Sequence, residues 1–206
     1  ADKAGLGASY EPANLFGLVM SNRTFIILIA VLGAIFIGAI GTGVWIVTQS
    51  RQTGEEGSNL VGGPFQLTDH TGRNVTEADY AGSHKIVYFG YTYCPDVCPT
   101  GLTVITEALD QIGPKANQVK PIFITVDPDR DTVPVMADYH QHFHPSFSNL
   151  TGTTTQIAAV AKAYRVFYQK ALDGDSEDYL VDHSAITFLM APGGGFLAHF
   201  GPDTTP

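Results

Sequence analysis

The chain holds two cysteines, Cys94 and Cys98, in the run Cys94-Pro95-Asp96-Val97-Cys98-Pro99. A thiol pair at this spacing can close a disulfide, exchange electrons or grip a soft metal. Two thiols are too few for a zinc site of four thiolates or for an iron–sulfur cluster that needs four. The pair follows a strand-like run, Lys85–Tyr91, and precedes a helix-like one, so it falls on a turn at the carboxyl end of a sheet strand, where open α/β sheets place their ligands. The turn faces the positive end of a helix dipole, which favours the thiolate, the reactive and metal-binding form. Pro99 suits the first helical turn and would put Cys98 at the cap. A residue before proline avoids helical dihedrals, so Cys94 and Cys98 are both expected in the turn itself. Three readings stand side by side: a structural disulfide, whose short loop would add little stability; a redox-active dithiol; and a soft-metal site. The three-residue gap differs from the two-residue gap of thioredoxin-type oxidoreductases and leans toward a ligand role. Two thiolates leave a metal short of donors, so a third belongs elsewhere in the chain.

Seven histidines are the candidates: His70, His84, His140, His142, His144, His183 and His199. His140, His142 and His144 alternate before Pro145 at a predicted helix end, where cations complement the dipole, and are expected to be solvated there. His183 lies in Val181-Asp182-His183-Ser184-Ala185, just ahead of the closing hairpin. In a thioredoxin-like topology that loop packs against the cysteine turn, so its imidazole would complete a Cys₂His set around copper. A neutral histidine packed in the core is the other reading of His183. Soft thiolates select Cu(I), and an added imidazole also permits Cu(II). Zinc would accept the same donors with a water, although no catalytic base stands out beside the pair.

The elements that must hold these residues follow from patterning. Phe65–Thr68 and Asn74–Thr76 around Asp69-His70-Thr71-Gly72 predict a hairpin. Lys85–Tyr91 and Pro121–Val126 read as buried strands, and Phe147–Leu150 as a short one. Leu102, Ile105, Leu109 and Ile112 predict a helix stopped by Gly113-Pro114. A second helix is expected over Val133–Phe143, capped by Thr132 or Asp131, and a third around Ile157, Val160, Ala161 and Tyr164. Arg165–Gln169 and Tyr179–Val181 flank an acidic loop, Asp173–Asp178. Ala185–Met190 and Phe196–Phe200 close the chain as a hairpin. Strands alternating with helices predict an α/β fold with a mixed sheet, mostly parallel at its centre and flanked by helices. Asp203-Thr204-Thr205-Pro206 has the form of a cap followed by proline, so a further helix is expected beyond Pro206.

Hydropathy divides the chain further. No charged residue occurs from Thr24 to Ser50, and Phe25–Val47 is almost wholly apolar or small. That is long enough to cross a hydrocarbon core, which takes roughly 20 residues. Residues 24–50 are therefore expected to form one transmembrane helix, after an N-terminal segment 1–23 and before a flexible Gly/Ser/Glu-rich linker, 51–63. Ala34, Gly38 and Thr42 form a small-residue stripe that would also suit a permanent subunit of a respiratory assembly. Residues 64–206 form the folded domain. Three basic and two acidic residues up to Arg51 leave +1, whereas eight basic and eighteen acidic residues beyond it carry −10. Such acidity argues against a nucleic-acid partner and for one with basic patches.

Three stretches, in this order, resemble the Sco/SenC family of copper proteins: Tyr91-Thr92-Tyr93-Cys94-Pro95-Asp96-Val97-Cys98-Pro99, then Val126-Asp127-Pro128-Asp129-Arg130-Asp131-Thr132, then Val181-Asp182-His183-Ser184. The resemblance runs from the anchor to about Phe200. It implies a thioredoxin-like fold in which Cys94, Cys98 and His183 bind one copper ion, and it implies that Asp127–Asp131 order a loop and contact a partner. Family members deliver copper to the dinuclear copper (CuA) centre in subunit II of cytochrome c oxidase, or reduce that centre's cysteines. The chain is thus expected to be a membrane-anchored metallochaperone rather than an enzyme, with a thiol–disulfide oxidoreductase using Cys94 and Cys98 as the alternative. Expected partners are subunit II and other copper chaperones or oxidase assembly factors. A dithiol serving an exported acceptor belongs outside the cytoplasm. The expected location is the inner membrane, single-pass, with the domain facing the periplasm, or the mitochondrial inner membrane in a eukaryote.

Overall fold

The structure is a computed structural model that describes residues 60–171 and 179–206, together with positions 23, 26, 27, 32, 33, 35 and 38. The chain divides into two units, Ala1–Gln52 and Thr53–Pro206. In the first, the described positions are helical and exposed. Among the described residues no helix is long and apolar enough to cross a membrane; the span expected over 24–50 as a whole lies outside them, as do most of the linker and the acidic loop Asp173–Asp178.

The second unit is built on a seven-stranded sheet: β1 (Gln66–Asp69), β2 (Asn74–Thr76), β3 (His84–Gly90), β4 (Val119–Thr125), β5 (Ser148–Thr151), β8 (Thr187–Met190) and β9 (Phe196–Phe200), in the order β2-β1-β5-β4-β3-β8-β9. Strands β3, β4 and β5 are parallel, and antiparallel strands extend the sheet on either side. The central strands read as continuous apolar runs because helices cover both of their faces. Helix α1 (Val97–Ile112) joins β3 to β4, α2 (Val133–His140) joins β4 to β5, and α3 (Thr154–Tyr164) follows β5. Side chains alternate across a strand, which sorts the helices. Gly101 of α1 lies against Tyr88 of β3, and Tyr139 of α2 against Phe123 of β4, on one face. On the other face Tyr164 of α3 meets Phe89 and Phe188, with ring centroids 5.2 and 5.5 Å apart. This is the mixed sheet flanked by helices that the patterning predicts, with the N-terminal hairpin paired as expected, Leu67 opposite Val75.

Differences from expectation are local. Helix α2 ends at His140 rather than Phe143. The amides of His142 and Phe143 bond three residues back in a tightened last turn, and Phe143 folds over Tyr139 with centroids 5.0 Å apart. Thr132 is its cap residue but makes no side-chain cap bond. The end of the expected linker lies on the domain. Val61 packs against the core, and the Gly62 amide donates to Ala163 O at 3.0 Å. Strands β6 (Tyr168–Lys170) and β7 (Val181–His183) do not join the main sheet; they form a two-stranded sheet of their own. Residues 201–206 are turn and coil.

Candidate metal centre

Strand β3 delivers the chain to the site, and α1 leads it away. Cys94 is in the connecting turn, its amide donating to Tyr91 O at 3.3 Å. Cys98 is not. Helix α1 starts at Val97 with Asp96 as cap residue, so Cys98 already has helical conformation. The steric push of Pro99 on the residue before it is outweighed by the burial of Cys98, and a first-turn proline itself gives up only an amide that has no intrahelical acceptor. Burial follows: Cys98 is fully enclosed and Cys94 is 8% exposed. The enclosure depends on Gly90, the last residue of β3, where a Cβ atom would stand 2.6 Å from Cys98 Sγ.

Both cysteines are free, and they are unlike. The Cys98 thiol hydrogen-bonds to Cys94 sulfur, and the amides of Asp96 and Cys98 point at it as well. With His183 nearby, these donors bring Cys94 down to about 5 despite its burial. The Cys98 thiol is pushed up, because Cys94 holds its proton and because it is buried. The pair is therefore a thiolate and a thiol sharing one proton. The helix start contributes as the dipole argument predicts, through two amides aimed at one sulfur.

His183 comes from the other side. Its Nε2 lies 3.2 Å from Cys98 Sγ, and its Nδ1 lies 3.1 Å from Val181 O. A carbonyl only accepts, so Nδ1 donates to Val181 O, and Nε2 is the ring nitrogen turned to the sulfur and the one a metal would take. Tyr91 stands edge-on to the imidazole, centroids 5.6 Å apart, while its hydroxyl oxygen accepts from the Val181 amide at 3.2 Å. Cys98 is thus the middle member, bonded to Cys94 on one side and facing His183 on the other. Among the described residues no three His, Cys, Asp or Glu side chains stand as a preformed metal cage; the trio is linked two by two through Cys98. Two sulfurs and one imidazole nitrogen nonetheless suit a soft cation.

The histidines expected at a helix end lie elsewhere. His140 stacks on His70, with centroids 4.0 Å apart and planes 18° apart, and burial together with His70 lowers its pKa. His144 Nδ1 engages Ser146 Oγ at 2.7 Å. The solvated helix end expected for these histidines is therefore partly a packed one.

Residues 53–206 match the protein-family model SCO1/SenC. The chain belongs to the SCO1/SenC family. It is 44% identical over 147 residues to the human mitochondrial protein SCO1 homolog, covering 70% of this chain and 49% of the human one. The chain spans about half the length of the curated relatives it matches first. Among solved structures it is similar to Bradyrhizobium japonicum ScoI with copper bound (44% identity, TM-score 0.67, 71% of this chain and 92% of that one). It is also similar to Arabidopsis thaliana ScoI with copper bound (44% identity, TM-score 0.64, 70% of this chain and 90% of that one). These structural neighbours are Sco proteins solved with copper, and the α/β architecture above is the Sco fold.

In this SCO1/SenC chain the Asp127–Asp131 stretch has a geometric role. Asp131 is buried and receives Thr92 Oγ1 and Thr125 Oγ1 at 2.5 Å each, and the Thr92 amide at 3.0 Å. Its own carbonyl accepts from Thr151 Oγ1 at 2.7 Å. Asp131 therefore fastens the cysteine turn to the ends of β4 and β5. The resemblance implies that this stretch orders a loop and contacts a partner, and the sequence reading goes no further. It missed the aromatic side chains converging there, Tyr91 and Tyr179, because their partners are distant in the chain. The tyrosines inside and next to the motifs were the available signal.

Proposed function

We propose that Cys94, Cys98 and His183 hold one copper ion, as Cu(I) or Cu(II), and that the chain is a metallochaperone passing it to the dinuclear copper site of cytochrome c oxidase subunit II. The observation that carries this reading is the Nε2 of His183 facing the sulfur of Cys98 at 3.2 Å, with a thiolate on Cys94 beside it. Two soft anionic donors and one imidazole suit both oxidation states. Release proceeds by exchange, an acceptor thiolate replacing one of these donors at a time. Exposed Tyr93, Val97 and Leu180 on the segments carrying the three residues, with exposed Phe167 joined to Ser184 beside His183, offer an apolar contact for the acceptor, and the acidic remainder of the domain favours one with basic patches. Oxidising the pair to a disulfide removes both thiolates, so redox state gates copper occupancy. The reading includes the apolar segment 24–50 as a membrane anchor and a domain facing the periplasm or the mitochondrial intermembrane space.

The test is metal analysis of the reduced full chain purified without oxygen. The parent is expected to hold about one copper per chain and to lose affinity by at least about a hundredfold on His183→Ala, beyond the ~10–100-fold that an outer partner costs. Unchanged affinity in the variant removes His183 from the site and overturns the reading.

A second reading is favoured by the thiolate–thiol asymmetry: reduction of the acceptor's disulfide. The Cys94 thiolate attacks one sulfur of that disulfide and expels the other as a thiolate, giving a mixed disulfide. Cys98, once deprotonated, attacks Cys94 sulfur and releases the second acceptor thiolate. Two electrons leave the pair, a Cys94–Cys98 disulfide forms, and the acceptor's two sulfurs take up protons. His183→Ala separates the two, because it removes copper binding and leaves this exchange running.

A further inference from the structure

The imidazole is carried by a weak element. Strand β7 pairs only with β6, over three residue pairs, and neither strand joins the main sheet. An isolated two-stranded sheet is marginal in water, so what fixes His183 must come from side chains. Three side-chain bonds order the segment 179–183, one internal and two to the rest of the domain. His183 bonds within the segment, to Val181 O. Val181 is held through its amide by the Tyr91 hydroxyl. Tyr179, at the entrance, donates its hydroxyl to Asp127 Oδ1 at 2.6 Å.

The third hold has the most built around it. Asp127 is buried at the end of β4, its amide donating to Thr125 Oγ1 at 2.9 Å. Its second oxygen, Oδ2, accepts from Arg130 Nε at 2.5 Å. The Arg130 guanidinium lies over the Tyr179 ring, 3.7 Å from its centroid, and 4.8 Å from the ring centroid of Tyr93, the neighbour of Cys94. Lys170 of β6, paired with Asp129 at 3.1 Å, is 4.3 Å from the same Tyr179 ring. One guanidinium therefore contacts an aromatic residue from the cysteine turn and another from the histidine arm, and one buried carboxylate orients it.

We propose that Asp127, Arg130 and Tyr179 form a latch that seats the His183 arm against the cysteine turn and thereby sets how tightly copper is held and how fast it is released. The inference rests on the copper reading above. The three are positioning residues, acting on the metal only through His183. Opening the latch frees the arm and its imidazole while leaving both thiols in place, Cys94 in the turn after β3 and Cys98 on α1.

The test is a double-mutant cycle in the full chain with Tyr179→Phe, which keeps the ring and removes the hydroxyl, and His183→Ala. Copper affinity is read by competition with a chromophoric Cu(I) chelator, and the environment of bound Cu(II) by its thiolate charge-transfer band. Tyr179→Phe is expected to weaken copper about tenfold and speed its loss by a similar factor, as suits a hydrogen bond to a charged group, and to shift the band. In the His183→Ala background the same change should alter affinity less than about twofold, because the latch has nothing left to position. Arg130→Gln should repeat the pattern. An equal loss in both backgrounds would mean that the triad acts on the fold at large, and no loss in either would mean no latch; each overturns the proposal while the copper reading stands. Should His183→Ala itself leave affinity unchanged, the copper reading falls and takes the latch with it.

Discussion

A thiolate beside a thiol that lends it a proton gives Cys94 and Cys98 opposite behaviour with pH. Cys94 is stabilised as the anion by the Cys98 thiol and two amides, and lies at about 5; Cys98 is held protonated by Cys94 and by burial. In reduced, metal-free protein, alkylation by iodoacetamide should therefore fall on Cys94, with a rate that rises through a midpoint near 5 rather than near the ordinary thiol value of 9. Peptide mapping by mass spectrometry reads the site, and equal labelling of both cysteines would contradict it. Stability carries the same asymmetry. Between 5 and 9 an unfolded Cys94 binds a proton that the folded one does not, so stability falls as pH drops across that window. Cys98 has the opposite sign: above 9 the unfolded chain releases a proton that the folded chain keeps, and stability falls as pH rises. Denaturant midpoints of the metal-free protein should peak near 9, and Cys94→Ser should remove the acid-side slope. A flat profile in the parent would mean that the two sulfurs do not share a proton.

The distance between β3 and α1 decides whether Cys98 can be enclosed at all. At Gly90 an added Cβ would stand 2.6 Å from Cys98 Sγ and 3.1 and 3.2 Å from the rings of Phe123 and Tyr88. Gly90→Ala should therefore cost about 1–3 kcal/mol, the usual range for overpacking, and should weaken copper by displacing the sulfur; thermal unfolding and chelator competition check the two effects. A stable variant with parental affinity would mean that the helix yields without harm. Much at this scale was legible in the chain. The apolar runs around Val87 and Ile124, and the helical spacing of Leu102, Ile105 and Leu109, place the cysteine turn where strand hands over to helix, because burial imposes those periods directly. His183 was singled out by its position before the last hairpin. What escaped has physical causes. Cys98 joined the helix because tertiary burial outweighs a local proline preference. The pairing of β6 with β7 escaped because strands of three residues carry no mark of which partner they take. Tyr179 and Arg130 met because two loops converge, and periodicity within one segment says nothing about such meetings.

For the molecule as a whole, charge and apolar surface work at different ranges. The −10 carried beyond Arg51 acts over a Debye length, about 8 Å at physiological salt, and so governs approach. The exposed side chains of Tyr93, Val97, Phe167 and Leu180 act only on contact and govern how long the encounter lasts. If the acceptor is the copper domain of subunit II, its association rate with this chain should fall by roughly tenfold between low and physiological ionic strength, as steered encounters do. Asp182 allows a sharper test. Its side chain is exposed beside His183, and its place in the β6–β7 ladder is a backbone one opposite Gln169. Asp182→Lys should slow association and flatten the salt dependence while leaving copper affinity within about twofold, because the change acts on long-range charge and removes no donor. Stopped-flow rates against salt, paired with chelator competition on the same samples, separate the two quantities. A salt-independent rate in the parent would remove steering from the account and leave apolar contact as the basis of recognition.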